Sequence, residues 1–234
     1  MFGESRSMEY KESKQPSGRE TKIYLAERKE NKELSPKEKR KDQSLVAKKL
    51  LLFGLSMEYG KKQLPEIACR PQGKPFFKDC PEIKFNYSHS TCGLLCGIST
   101  SEIGVDMEGK ITTKERLVRR ICHENEKKLL AGVKKDLERD WLLTRIWTAK
   151  ESYLKCIGTG IRLPLDSLDF SGCIDGGLFQ ERYRMYFSNG TDYVIAVCRE
   201  SEPSRTQNIL VKKLSGQEIA QMESLNITVP FPKQ

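Results

Sequence analysis

The stretch Ile103-Gly104-Val105-Asp106-Met107-Glu108-Gly109 alternates apolar and acidic residues. A period of two is the signature of a half-buried strand, because successive side chains point to opposite faces. Val105 and Met107 are expected to face a core, and Asp106 and Glu108 to share the other face. Two carboxylates side by side repel unless a cation lies between them. Hard oxygen donors of this kind suit magnesium, which takes its remaining ligands from water or a substrate phosphate. The second informative stretch is Trp147-Thr148-Ala149-Lys150-Glu151-Ser152-Tyr153-Leu154-Lys155. On a helix, Glu151 and Lys155 lie on one face, with Trp147 one turn before Glu151. Lys150 falls on a neighbouring face. Alone, an Asp-x-Glu is more often a solvated strand face. A Glu–Lys pair four apart is more often a surface ion pair worth about 0.3–0.5 kcal/mol.

Working outward, Leu142, Leu143, Ile146, Trp147, Tyr153 and Leu154 predict a helix from Asp136 or Asp140 through Cys156, ended by Gly158-Thr159-Gly160. Gln43 to Tyr59 has helical spacing at Leu45, Leu51, Leu52 and Leu55, with Ser35-Pro36 reading as an upstream start and Gly60 as a stop. Strands are expected at Thr21–Leu25, Phe85–Ser90, Cys92–Ile98 and Tyr193–Val197, and a helical pattern runs from Thr112 to Ala131. The tail is polar, with a weak helical stretch at Gly216 to Leu225. Each half offers a long helix and several short strands, so the fold class is α+β, in two lobes divided near residue 104. The expected organisation is a polar extension over 1–20, an N-terminal lobe over 21–104, a C-terminal lobe over 105–200 and a tail over 201–234.

The 234 residues carry 31% charged side chains and a net charge of +9, which favours anionic partners. No secretory signal opens the chain, and Leu50 to Leu55 is too short an apolar run to span a bilayer, so a cytoplasmic protein without a membrane segment is expected. The eight cysteines contain no Cys-x-x-Cys pair and read as reduced, mostly core residues rather than zinc ligands or disulfides. The basic run over residues 37–49 lacks the interleaved aromatics that stacking on nucleic acid requires, so no nucleic-acid partner is expected. Ser88 and His89, ending an aromatic strand, offer donors to a phosphate. Lys74, in Gly73-Lys74-Pro75, offers an amine from a rigid turn, although a surface lysine and a structural histidine are the plainer readings. His123 reads as a structural residue at a helix start.

In order, Gly73-Lys74-Pro75, Phe85-Asn86-Tyr87-Ser88-His89-Ser90, Gly104-Val105-Asp106-Met107-Glu108 and Trp147-Thr148-Ala149-Lys150-Glu151-Ser152 resemble the 4′-phosphopantetheinyl transferases of the larger, surfactin-synthetase-activating type. Lys155 and Leu163-Pro164-Leu165 extend the likeness, which covers about Leu34 to Val197. The resemblance implies a pseudo-twofold monomer of two similar lobes, each a small, mostly antiparallel sheet packed with a long helix. It also implies coenzyme A in the cleft between them. The implied reaction moves phosphopantetheine from coenzyme A to a serine of an apo acyl or peptidyl carrier protein, releasing adenosine 3′,5′-bisphosphate. Asp106, Glu108 and Glu151 map onto the magnesium ligands, and Lys74, Ser88 and His89 onto coenzyme A contacts. Lys155 maps onto a lysine beside the pyrophosphate, and Glu151 is the candidate base. The stretch Lys37 to Gln43 departs from the family pattern, leaving Lys39, Arg40 and Lys41 as open candidates for the 3′-phosphate. A non-catalytic coenzyme A-binding protein of the same fold is the alternative.

Overall fold

Alternation along the strands lets one chain line three cores. The computed structural model describes residues 21–27, 35–160, 162–201 and 209–225. The polar extension over 1–20 lies outside them. The elements in order are β1 (Thr21–Glu27), α1 (Pro36–Tyr59), β2 (Ile67–Cys69), β3 (Pro75–Phe77), β4 (Lys84–Ser90), β5 (Gly93–Ser99), β6 (Ile103–Gly109), α2 (Glu115–Ile121), α3 (Glu124–Gly132), α4 (Asp136–Ile157), β7 (Gly177–Phe179), β8 (Tyr183–Asn189), β9 (Tyr193–Glu200), β10 (Ile209–Lys213) and α5 (Gly216–Ser224). One four-stranded sheet has the order β10-β1-β5-β4 and another β6-β9-β8-β7, with β2 and β3 forming a separate pair. The fold is α+β.

Tyr24, Ala26, Cys96 and Ile98 point from the first sheet to Leu50, Phe53 and Leu55 of α1. Ile23, Leu25 and Leu95, on the opposite face, meet Val105, Met107, Ile195 and Val197 of the second sheet. Cys198 and Met185 face the third core, with Leu143, Ile146 and Tyr153 of α4. The sheets therefore pack on each other, with α1 outside one and α4 outside the other. Each strand spends one set of alternate residues on each core. Because Val105 and Met107 serve the core between the sheets, Asp106 and Glu108 must face α4.

The long helices form where their end signals lie. Ser35 caps α1 through a reciprocal bond with Glu38, and Gly60 ends it in the left-handed conformation. α1 therefore starts at Pro36, where Ser35-Pro36 reads as a start, and runs unbroken through the Gln43 to Tyr59 stretch. The helical pattern over Thr112 to Ala131 is two helices, and His123 stands at the start of the second, as its sequence context suggested. His123 adopts extended backbone between them, its imidazole accepting from Asn125 N and its own N–H donating to Glu126.

Two observations bear on the expected division of the chain. Residue 104 lies inside β6, whose seven residues all pair with β9 in the second sheet. Among the described residues beyond 200, two elements return to the N-terminal part of the molecule. β10 pairs in parallel with β1, and α5, capped by Ser215 and Glu218, buries Met222 in the α1 core. A five-residue strand whose partner lies nearly two hundred positions away leaves no local trace of its pairing.

Candidate active site

Gly104 sets the approach of the strand that carries Asp106 and Glu108 to the helix that carries Glu151 and Lys155. A Cβ there would overlap the Ser152 carbonyl oxygen and the Cys156 nitrogen, so β6 and α4 meet backbone to backbone. From that point the two run antiparallel and are laced together. Ile111 N donates to Thr144 Oγ1 at 2.9 Å, and Thr113 N to Asp140 Oδ1 at 2.7 Å. This register brings Asp106 and Glu108 alongside the turns that bear Trp147, Glu151 and Lys155.

Lys155 Nζ donates to Asp106 Oδ1 at 2.7 Å and to Ser88 Oγ at 3.0 Å, and Ser88 Oγ donates to Asp106 Oδ1 at 2.8 Å. The strand β4 is held beside β6 by Val105 N, which donates to Asn86 Oδ1 at 2.9 Å. Asn86 and Ser88 share a face, which is why this bond places Ser88 on Asp106. His89 points the other way and is exposed, so the structure separates the two members of the Ser-His pair.

The acids are short of positive charge. Burial, followed by the neighbouring Asp106, pushes the Glu108 carboxyl up to about 7, against an indole hydrogen bond from Trp147 that lowers it. Burial and Asp106 likewise raise Glu151, with Lys155 opposing. Asp106 Oδ2 and Glu151 Oε1 are buried and have no hydrogen-bond partner. Unpaired carboxylate oxygens and mutually repelling carboxyls are what a hard-cation donor set looks like before the cation is added. Among the described residues, however, no three His, Cys, Asp or Glu side chains are arranged to hold an ion as they stand. The Lys155 ammonium draws Asp106 to itself instead.

Lys74 requires a correction. The sequence suggested an amine held out to a phosphate. Lys74 is instead buried, and its three donors go to Glu102 Oε2 at 2.6 Å, Cys156 O at 2.5 Å and Ile103 O at 3.1 Å. A lysine is drawn there because the last carbonyls of α4 are partly negative and Glu102 supplies a full charge. Arg70 pairs with the same carboxylate at 2.5 Å. Lys74 thus fastens the entrance of β6 to the end of α4, behind the acids. Lys39, Arg40 and Lys41 lie in the first two turns of α1, with Arg40 and Lys41 exposed. Trp147 is a member of the site that spacing alone gave no chemical role; its position one turn before Glu151 was the available signal.

A cleft of about 450 Å³ beside the acids is lined by Trp141, Leu142, Arg145, Asn189, Tyr193 and Val194, among others. Val194 is the register partner of Glu108, so this cleft flanks the acid cluster rather than centring on it. All eight cysteines are free thiols.

The acids and Lys155 lie inside the segment that carries the family signal. Residues 102–198 match the family model of the 4′-phosphopantetheinyl transferase superfamily. The chain is 35% identical over 95 residues to the 4′-phosphopantetheinyl transferase Sfp of Bacillus subtilis (strain 168), covering 41% of this chain and 42% of that protein. It is 29% identical over 133 residues to another Bacillus subtilis 4′-phosphopantetheinyl transferase, covering 54% and 59% respectively. The chain thus spans about half the length of the curated relatives it matches. The solved holo-[acyl-carrier-protein] synthase of Thermotoga maritima overlaps 44% of this chain and 64% of its own, at 16% identity and a TM-score of 0.34, too slight to bear on the fold. The superfamily segment runs from Glu102 to Cys198 and so includes Asp106, Glu108, Glu151 and Lys155. Lys74, Ser88 and His89 precede it.

Proposed function

We propose that the protein transfers the 4′-phosphopantetheine group from coenzyme A to a serine hydroxyl of an apo acyl or peptidyl carrier protein, releasing adenosine 3′,5′-bisphosphate. The observation that carries this reading is the convergence of Asp106, Glu108, Glu151 and Lys155 where β6 meets α4, inside the superfamily segment and with two carboxylate oxygens buried and unpartnered. Asp106, Glu108 and Glu151 would hold magnesium, which fits their oxygen donors. Once bound it would neutralise the pyrophosphate and help to orient it for displacement.

The chain's own residues do the rest. Serine is a weak nucleophile and needs a base. Glu151, raised by burial and by Asp106, takes the hydroxyl proton directly or through a water. The serine oxygen then bonds to the phosphorus that bears the pantetheine arm, and the bond from that phosphorus to the bisphosphate oxygen breaks. Lys155 meets the charge that develops on the leaving group. Ser88 and His89 contact coenzyme A in this reading. Lys74 acts through the β6–α4 junction that it fastens, and one of Lys39, Arg40 and Lys41 meets the 3′-phosphate. A pseudo-twofold relation between lobes meeting near residue 104 and a monomeric state belong to the same proposal. Two observations support that relation: each four-stranded sheet carries one long helix on its outer face, and β6 and β4 lie together at the junction. Cytoplasmic placement is also proposed; among the described residues no helix is long and apolar enough to cross a membrane.

The test is intact-mass measurement on apo acyl and apo peptidyl carriers incubated with the protein, coenzyme A and magnesium. A gain of one phosphopantetheine on either carrier is expected. Coenzyme A binding by calorimetry with no mass gain on any carrier would instead establish the non-catalytic alternative.

A further inference from the structure

Lys155 puts a positive charge among the buried acids. Its ammonium lies 2.7 Å from Asp106 Oδ1, with Ser88 Oγ closing a triangle at 3.0 Å from the ammonium and 2.8 Å from the carboxylate. One positive charge faces three carboxylates, and it satisfies only one of them. Asp106 Oδ2 and Glu151 Oε1 stay buried without a partner. The cluster is therefore still short of positive charge. The lysine is not locked in place. Its side chain is 28% exposed, whereas that of Lys150, five residues earlier on the same helix, is 0% exposed. A four-carbon stem on the last turns of a helix can swing into solvent by rotamer changes alone.

We propose that Lys155 is a stand-in cation: it holds Asp106 in the metal-free protein, must leave Asp106 for a divalent ion to bind, and so sets the ion affinity of the site. This rests on the reading of Asp106, Glu108 and Glu151 as metal ligands. An ammonium competing for a ligand oxygen weakens the ion's apparent affinity by the population of the state it occupies. Its departure does two jobs, because the released amine is then free to meet an anionic substrate group. Lys155 is thus a gate on the ion as well as a charge for the leaving group.

The test uses manganese(II) as a paramagnetic probe, with free ion quantified by electron paramagnetic resonance in the absence of substrate. Lys155→Met, which keeps the stem and removes the charge, is expected to bind manganese at least tenfold more tightly than the wild type. In the wild-type protein, reductive methylation of Lys155, mapped by mass spectrometry, is expected to speed up several-fold when manganese is added. This second measurement decides the matter if Lys155→Met does not fold. Equal or weaker binding by the variant, with Lys155 methylation unmoved by manganese, would overturn the stand-in role and leave the ligand reading intact. Manganese binding by the wild type that survives Asp106→Asn unchanged, or no binding by either protein, would overturn the ligand reading itself.

Discussion

Helix α4 carries two lysine–carboxylate constellations only five residues apart, and they are built in opposite ways. Lys150 is fully buried, with Nζ at 2.6–2.8 Å from the carbonyls of Ile121, Leu165 and Leu168 and 2.7 Å from Glu126 Oε2. Glu126 is equally buried and accepts from His123 N and Phe170 N. No member of that network lacks a partner, and it ties α2, α3 and the 165–170 segment to α4. Around Lys155 the count fails: three carboxylates share one ammonium, and two oxygens have no donor. A satisfied buried network is structural, since burying charge is tolerable only when every lone pair and proton is met. An unsatisfied one costs stability, and in the proposed reading the missing charge is supplied by a bound cation.

Five substitutions break or sharpen that contrast. Lys150→Met should cost about 3–5 kcal/mol in denaturant unfolding, because it leaves Glu126 charged and buried without its partner. If Lys150 were an ordinary surface lysine, the change would be within roughly 0.5 kcal/mol. Asp106→Ala and Glu151→Ala should each lower carrier modification at least ~100-fold, about 2.7 kcal/mol of barrier, with the unfolding midpoint not lowered. Full activity in either variant would remove it from the proposed chemistry.

Glu108→Gln should stabilise the protein, in chelator, by about 1–2 kcal/mol at pH 8 after allowing for solvent screening. The sign follows from the raised carboxyl. The folded state holds its proton up to about 7 and the unfolded chain releases it near 4.5. Native stability therefore falls as pH rises across that window, and the variant escapes the fall. Equal stability of the two proteins from pH 4 to 8 would mean that Glu108 is not strained. The smallest effect is expected for Gly158→Ala, a loss of about 1 kcal/mol. Gly158 ends α4 at φ +75°, and a Cβ there would press on the Lys74 stem at 3.0 Å. No loss would show that the Lys74 anchor yields freely.

How much of this was legible depends on the range of the interaction. The β6 alternation, the α4 stripe, Ser35 with Pro36, and Gly60 and Gly158 all act over one or two turns, so sequence spacing reports them. The site residues were legible as types on faces: Asp106 with Glu108, and Glu151 with Lys155. The structure separates several that the sequence grouped. Ser88 faces Asp106 while His89 faces outward, because strand neighbours alternate. Lys74 looked like a free amine in a turn, but its partners at Glu102, Ile103 and Cys156 are distant in sequence. Lys150 beside Glu151 looked like one more helix charge, until the burial of Glu126 gave it a partner. The return of β10 and α5 to the first sheet left no local sign.

By itself, the sequence determined which side chains share a face, where the long helices end and which strand bears the acids, because these follow from backbone periodicity and capping. Only the tertiary structure decided which charges are satisfied. Gly104 lets β6 touch α4, and that contact sets Asp106 against Lys155 and Glu108 against Trp147. Whether a buried carboxylate has a donor is a matter of what the fold brings within 3 Å of it, and no spacing along the chain carries that information.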